Sequence, residues 1–73
     1  MTLYELPLNK IGIIDNLNCS GNIRRRLLDL GLVKGTSIVP ILKSPSGDPT
    51  AFEIRKTIIA LRKEDCCLIN LKE

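Results

Sequence analysis

Apolar and polar residues alternate along most of the chain, which predicts short β-strands. Between residues 11 and 18, Ile11, Ile13 and Leu17 occupy alternate positions and would share one face of a strand. The β-branched residues of this segment favour the same assignment. Further segments with strand character follow at residues 36–43, 50–55, 57–62 and 67–72. Residues 3–8 predict a short edge strand or a loop leading into the fold, because Pro7 lacks a backbone donor.

One segment, at about residues 20–30, has the periodicity of a helix. Ile23, Leu27 and Leu30 lie at positions i, i+4 and i+7, and Leu28 widens the apolar stripe. This pattern predicts that the helix turns that stripe towards the core.

The ends of this helix also have sequence signals. The side chain of Ser20 or Asn22 can accept a hydrogen bond from an unpaired N–H of the first turn. Gly31 is suited to the left-handed conformation that ends many helices, and Leu32 follows where a Schellman motif contacts Leu27. We therefore expect the helix to end at Leu30 or just before it.

The remaining segments consist of turns and a closing strand. Pro40 lies within the strand at residues 36–43, which places that strand at a sheet edge or at a bulge. Residues 44–49 form a dense cluster of turn formers, and Glu64 and Asp65 predict a second polar turn. Beyond it, Cys67 would begin the inward-facing side of the last strand. Five to six short strands with one inserted helix indicate a mainly β fold, a small barrel formed by residues 1–73 as one domain.

Composition and charge exclude several classes of function. The net charge of +3 is small, and no aromatic residue accompanies the basic run at residues 24–26, so a nucleic-acid partner is not expected. The chain contains no histidine and no phosphate-binding glycine loop, so we do not expect an enzyme. The sequence has neither a signal peptide nor an apolar run of about 20 residues, so we expect a cytoplasmic protein without membrane insertion.

Three motifs in register resemble the FeoA family. They are RLLDLGLVKGT at residues 26–36, PSGDP at residues 45–49 and IALRKED at residues 59–65. The chain departs from the family pattern at Pro40, Ser46, Lys56 and Cys66. The resemblance implies an SH3-like β-barrel and an accessory role in ferrous iron transport, through interaction with FeoB, the membrane GTPase transporter.

The resemblance leaves a second class of function open. The same barrel occurs as the metal-responsive C-terminal domain of DtxR-type iron-dependent repressors. Such a regulator needs a helix-turn-helix segment upstream, whereas this sequence starts just before its first predicted strand. We therefore expect a free-standing protein, monomeric or weakly dimeric, that binds another protein.

Candidate partner-binding residues come from three places. Val39 and Ile41 alternate with the inward positions of their strand, so they would lie outside the barrel or under the helix. Beside them, Ser46 and Asp48 belong to the predicted loop, and apolar residues next to loops often form interaction sites. Arg24 and Arg25 could contact phosphate, although a solvated helix face explains them as well.

The cysteines offer the only candidate metal ligands. Cys66 and Cys67 could bind ferrous iron together with Glu64 or Asp65 on the same turn. Free cysteine is among the most buried residue types, so we favour two packed thiols and expect no cofactor.

Overall fold

A computed structural model describes all 73 residues and contains one five-stranded antiparallel sheet. The spatial order of the strands is β4-β3-β2-β1-β5. The two outermost strands, β4 and β5, do not pair, so the barrel is open between them. The strands are β1 (Gly12–Leu17), β2 (Ser37–Lys43), β3 (Thr50–Ile54), β4 (Thr57–Leu61) and β5 (Ile69–Leu71). Two helices, α1 (Gly21–Asp29) and α2 (Lys63–Cys66), and a 3-10 helix (Leu3–Glu5) complete the fold. The prediction of a mainly β fold is confirmed.

The core is almost entirely aliphatic and lies on the concave side of the sheet. Phe52 is its one aromatic residue, and Leu3 and Leu27 reach it from the 3-10 helix and from α1. Its twelve buried apolar residues are Leu3, Ile14, Leu17, Leu27, Leu32, Ile38, Phe52, Ile54, Leu61, Cys66, Ile69 and Leu71.

The residues predicted to share one face of strand β1 are divided between its two faces. Ile14 is fully buried, whereas Ile11 is 70% exposed. The pairing of β1 with β5 is irregular between Ile14 and Asn16, where a bulge inserts one residue. Because a bulge shifts the alternation of side chains by one position, Leu17 is buried although the simple alternation places it with Ile11.

The predicted helix is confirmed, and its C-terminus has the predicted Schellman geometry. Gly31 has a φ of 98°, its N–H donates to the carbonyl of Leu28 at 2.9 Å, and the N–H of Leu32 donates to the carbonyl of Leu27 at 3.2 Å. At the other end Ser20 occupies the N-cap position, but its side chain makes no capping hydrogen bond. The predicted N-cap position at Ser20 is therefore correct, but the predicted hydrogen bond to its side chain is not formed, and the side chain of Asn22 makes no such bond either.

The apolar stripe of α1 is narrower than predicted. Leu27 is fully buried and Leu28 packs partly against the core, but Ile23 and Leu30 are 47% and 38% exposed. The helix is only nine residues long and contacts the barrel along the side that contains Leu27. Its first and last turns therefore leave their apolar side chains largely in solvent.

The segment before β1 is not an edge strand. Residues Leu3–Glu5 form a 3-10 turn, in which the N–H of Thr2 donates to Oε1 of Glu5 at 2.7 Å. Only Thr2 pairs with the sheet, through an isolated bridge to Asn70. This turn places Leu3 in the core, which extended alternation would not require.

The prediction of a bulge at Pro40 is confirmed, but its strand is central. Strand β2 lies between β1 and β3, and its pairing with β3 shifts between Pro40 and Leu42. The carbonyl of Pro40 accepts a hydrogen bond from the N–H of Asn9 at 2.7 Å, away from β3. In a strand the N–H and C=O of one residue point to the same side, so the N–H that Pro40 lacks would also point away from β3. The last pair between β2 and β1 is at Ile38, so the proline removes no hydrogen bond from either ladder.

A two-residue turn joins β3 to β4. Arg55 and Lys56 have φ values of 50° and 65°, and Ile54 pairs with Thr57 across the turn. Positive φ at both central residues is the signature of a type I′ hairpin. The predicted strands at residues 50–55 and 57–62 are thus confirmed to within one residue at their ends.

Candidate partner-binding surface

The convex side of strands β2, β3 and β4 has a largely apolar surface. Cross-strand pairs place Leu42 next to Ala51, Ala51 next to Ala60, and Glu53 between Val39 and Ile58. Their inward neighbours, such as Phe52 and Ile54, are buried, so this set points away from the core. We call it the outer face; it comprises Val39, Ile41, Leu42, Ala51, Glu53, Ile58 and Ala60.

Exposure varies across the outer face. Leu42 and Ile58 are 65% and 57% exposed, while the predicted residues Val39 and Ile41 are half-buried. Extending the β1–β2 register by one residue places the exposed Ile11 beside Val39. Large exposed apolar side chains on β2, on β4 and immediately before β1 therefore form one surface of the kind that meets partners.

Sequence reasoning did not identify Leu42 and Ile58 as part of this surface. Strict alternation assigns Leu42 to the same side as Pro40, which is buried. The bulge at Ile41 reverses that assignment and turns Leu42 outwards. Pro40 was the available signal, because a proline inside a strand indicates a bulge.

The loop at residues 44–49 is confirmed, and its polar side chains bond within the protein. The hydroxyls of Ser44 and Ser46 donate to the carbonyl of Asp48 at 2.7 and 3.0 Å. The carboxylate of Asp48 accepts from the N–H of Lys63 at 2.8 Å, at the start of α2. These contacts attach the loop to α2, and a partner-binding role for Ser46 and Asp48 stays a prediction.

The basic run on α1 divides between structural and free side chains. Arg26 forms an ion pair with Asp65 at 2.8 Å, so its partner is a carboxylate of α2. Arg24 donates to the carbonyl of Leu17 at 3.4 Å, whereas Arg25 makes no hydrogen bond or ion pair. Arg24 and Arg25 line an open cleft of about 360 Å³ whose other lining residues also belong to α1: Gly21, Asn22, Leu28 and Asp29.

The predicted polar turn at Glu64 and Asp65 is a one-turn helix. Residues Lys63–Cys66 form α2, and Asp65 is 7% exposed because it points back to Arg26. Lys63 also lies over the ring of Tyr4, with 5.3 Å between its Nζ and the ring centre. Through these contacts α2 connects the N-terminal turn, α1 and the loop at residues 44–49.

The two adjacent cysteines have opposite environments. Cys66 is 3% exposed, and burial, reinforced by the charge of Asp65, raises the pKa of its thiol to about 12. Cys67 is exposed, so the prediction that its side chain points into the barrel is wrong. It caps α2 in a helical conformation, and the strand alternation starts only at Ile69. Nowhere does the structure bring three or more Cys, Asp or Glu side chains together in the manner of a metal site.

No helix of the structure combines the length and the apolar character that crossing a membrane requires.

Comparison with known proteins identifies relatives along the whole chain. The Fe(2+) transport protein A/Fe(2+) transporter FeoB fusion protein of Porphyromonas gingivalis is 31% identical over 72 residues, which are 99% of this chain and 8% of the relative. Iron(II) transport protein A of Clostridium thermocellum, solved in solution, superposes with a TM-score of 0.94 at 32% identity, covering 99% of this chain and 44% of that one. This chain therefore spans less than half the length of either.

A third relative identifies the fold. FeoA of Stenotrophomonas maltophilia, crystallised with zinc, superposes with a TM-score of 0.85 at 33% identity and covers 99% of this chain and 89% of that one. That protein is described as a prokaryotic SH3 domain protein, so the expected SH3-like barrel is confirmed. The sequence model of the FeoA domain family matches residues 1–73, and the protein therefore belongs to that family.

Proposed function

We propose that this protein is an accessory component of ferrous iron transport that acts by binding the cytosolic part of an FeoB-type GTPase transporter, without catalysing a reaction. The observation that carries the proposal is the fusion relative, in which a matching domain and a transporter form one polypeptide. Two modules joined in one chain act at a high effective concentration, and separate chains need a binding surface to achieve the same proximity.

The outer face supplies a surface of suitable character. Leu42 and Ile58 project two large apolar side chains into solvent, and Glu53 lies beside Ile58 as a charged group that could fix the orientation of a partner. Interfaces concentrate their energy in a few such apolar anchors. We infer that the transporter contacts the outer face.

The test is a binding titration of the full chain against the purified cytosolic GTPase domain of the transporter from the same organism. Leu42→Glu and Ile58→Glu should each weaken binding at least tenfold, which corresponds to about 1.4 kcal/mol. Ile23→Glu is the matched control, because Ile23 is also a half-exposed isoleucine but lies on α1. Each variant should keep the far-UV spectrum of the parent, since both outer-face side chains are mostly in solvent.

The outcomes separate the function from the surface. If the parent chain does not bind the GTPase domain in any nucleotide state, the proposed function fails. If it binds and only the control variant weakens binding, the transporter contacts α1 around Ile23 instead.

A further inference from the structure

Strand β4 has a free edge. It is the last strand of the sheet and pairs only with β3. In a two-residue hairpin the closing pair is hydrogen-bonded, so Thr57, Ile59 and Leu61 direct their backbone groups to β3. The N–H and C=O groups of Ile58 and Ala60 therefore point away from the sheet, and no backbone group outside the ladder bonds to them.

The side chains of this edge do not protect it. Residues 57–61 read Thr-Ile-Ile-Ala-Leu, without a charge or a proline, and four of the five are exposed or half-buried. An exposed, uncharged edge strand is a template for pairing with another strand. Natural proteins usually break such an edge with an inward-pointing charge or a bulge, and β4 has a regular register through all five pairs.

Basic residues flank the free edge at both ends. Arg55 and Lys56 precede β4, and Arg62 and Lys63 follow it. None of the four belongs to an ion pair, since the two ion pairs of the structure are Met1–Glu73 and Arg26–Asp65. Arg55 bonds only the hydroxyl of Thr36, and Lys63 faces the ring of Tyr4, so their charges are not neutralised.

This charge pattern distinguishes between possible occupants. If a second copy paired antiparallel along all of β4, Ile58 would face Ala60 and Lys56 would face Arg62, once at each end. Like charges directly opposite each other destabilise a strand pair. A strand with acidic residues at both ends meets the opposite condition, and in either direction it places carboxylates against the basic flanks.

We propose that the edge of β4 binds, by strand addition, an extended peptide segment with an apolar centre and acidic ends. Backbone hydrogen bonds to Ile58 and Ala60 hold the segment, and the cations of Lys56 and Arg62 select it. The proposal goes beyond the proposed function, because the occupant is specified by its chemistry and need not be a transporter. The partner side chains on the convex side would extend the outer face at Ile58 and Ala60.

The probe is a synthetic peptide with blocked termini, Val-Thr-Val-Thr-Val at its centre and two Glu at each end. The control peptide has the same centre with two Lys at each end. Titrated into the ¹⁵N-labelled full chain, the acidic peptide should shift the amide signals of Ile58, Ala60 and Arg62 first. Its affinity should fall with added salt, because screening weakens attraction between exposed charges.

Two variants test the two parts of the mechanism. Ala60→Pro removes a backbone donor on the free edge without removing a hydrogen bond to β3, and should lower the affinity for the acidic peptide at least tenfold. The double variant Lys56→Glu with Arg62→Glu should weaken the acidic peptide at least fivefold and make the Lys-ended peptide the better ligand. The charge variant keeps the proposal testable if the proline variant does not fold, since both side chains are exposed.

Several results would overturn the proposal. These are equal binding of both peptides, signal shifts confined to α1, a folded Ala60→Pro protein that binds the acidic peptide as well as the parent does, and a charge variant with unchanged preference. Self-association of the parent through β4, seen as concentration-dependent shifts of Ile58 and Ala60 without peptide, would assign the edge to a second copy instead.

Discussion

Replacing Leu27 by alanine tests how the helix is attached to the barrel. The Leu27 side chain is fully buried, and its carbonyl also receives the N–H of Leu32 in the helix end. A buried Leu→Ala change costs roughly 2–5 kcal/mol, part for the lost transfer of the side chain and part for the cavity. Since stability is roughly 0.05–0.15 kcal/mol per residue, a domain of this length has on the order of 4–11 kcal/mol in total.

The loss at Leu27 is therefore expected to be about 3 kcal/mol, a large share of the stability of so small a domain. Urea unfolding followed by far-UV circular dichroism measures it, and an unchanged m-value would show that the midpoint reports stability. Ile23→Ala is the matched control on the same helix, because Ile23 is about half exposed and should lose under about 1 kcal/mol. Equal losses at the two positions, or a loss below about 1 kcal/mol at Leu27, would refute the packing of α1 described above.

Three further predictions concern α2, the β3–β4 turn and the buried thiol. Arg26→Ala should lower the free energy of unfolding by about 2 kcal/mol, because it leaves the buried carboxylate of Asp65 without its ion pair. A double-mutant cycle with Asp65→Asn, measured by urea unfolding, isolates the coupling energy of the pair. Strictly additive losses would show that the two side chains are not coupled. Lys56→Gly should raise the free energy of unfolding by about 1 kcal/mol, because φ is positive at this residue. The midpoint of thermal unfolding should rise by roughly 4–8 °C, and a lower midpoint would contradict the type I′ turn. A thiol reagent at pH 8 should modify Cys67 quickly and Cys66 only after unfolding. Because folding raises the pKa of Cys66 from 9.0 to about 12, its contribution to stability is complete below about pH 9 and is lost as the pH rises towards 12. In the Cys66→Ala variant, the midpoint of urea unfolding should fall less between about pH 9 and pH 12 than it does in the parent. Binding to the GTPase domain should stay unchanged.

The elements with strong local signals were predictable from the sequence. Residue 31 has a positive φ, which glycine adopts without strain, so the sequence predicts the C-terminus of α1 to within one residue. The turn formers at residues 44–49 likewise marked the loop before β3. The strand assignments at residues 50–55 and 57–62 were correct because five consecutive cross-strand pairs keep a regular register.

The errors arose where one residue changes the phase of a strand or where contacts come from distant segments. The bulge after Ile14 separates the faces of Ile11 and Leu17, and the bulge after Pro40 turns Leu42 outwards; alternation alone contains no signal for such a shift in phase. The sequence predicts a polar turn at Asp65 but not its burial, because its partner, Arg26, lies 39 positions away. Tertiary contacts of this kind decide burial, and a local pattern cannot include them.

The outer face and the free edge of β4 meet at Ile58 and Ala60, and this overlap has a consequence for binding. A partner that added only a strand would gain few backbone hydrogen bonds, each worth about 1 kcal/mol net, and would bind weakly. A partner that packed only on the outer face would have a single charged group, Glu53, to fix its orientation. A partner that pairs one segment with β4 and packs a second, apolar part over Leu42 and Ile58 obtains direction from the backbone and buried area from the outer face. Such a partner should lose affinity with either Ala60→Pro or Leu42→Glu, and the double variant should lose less than the sum, because both changes disturb one contiguous contact.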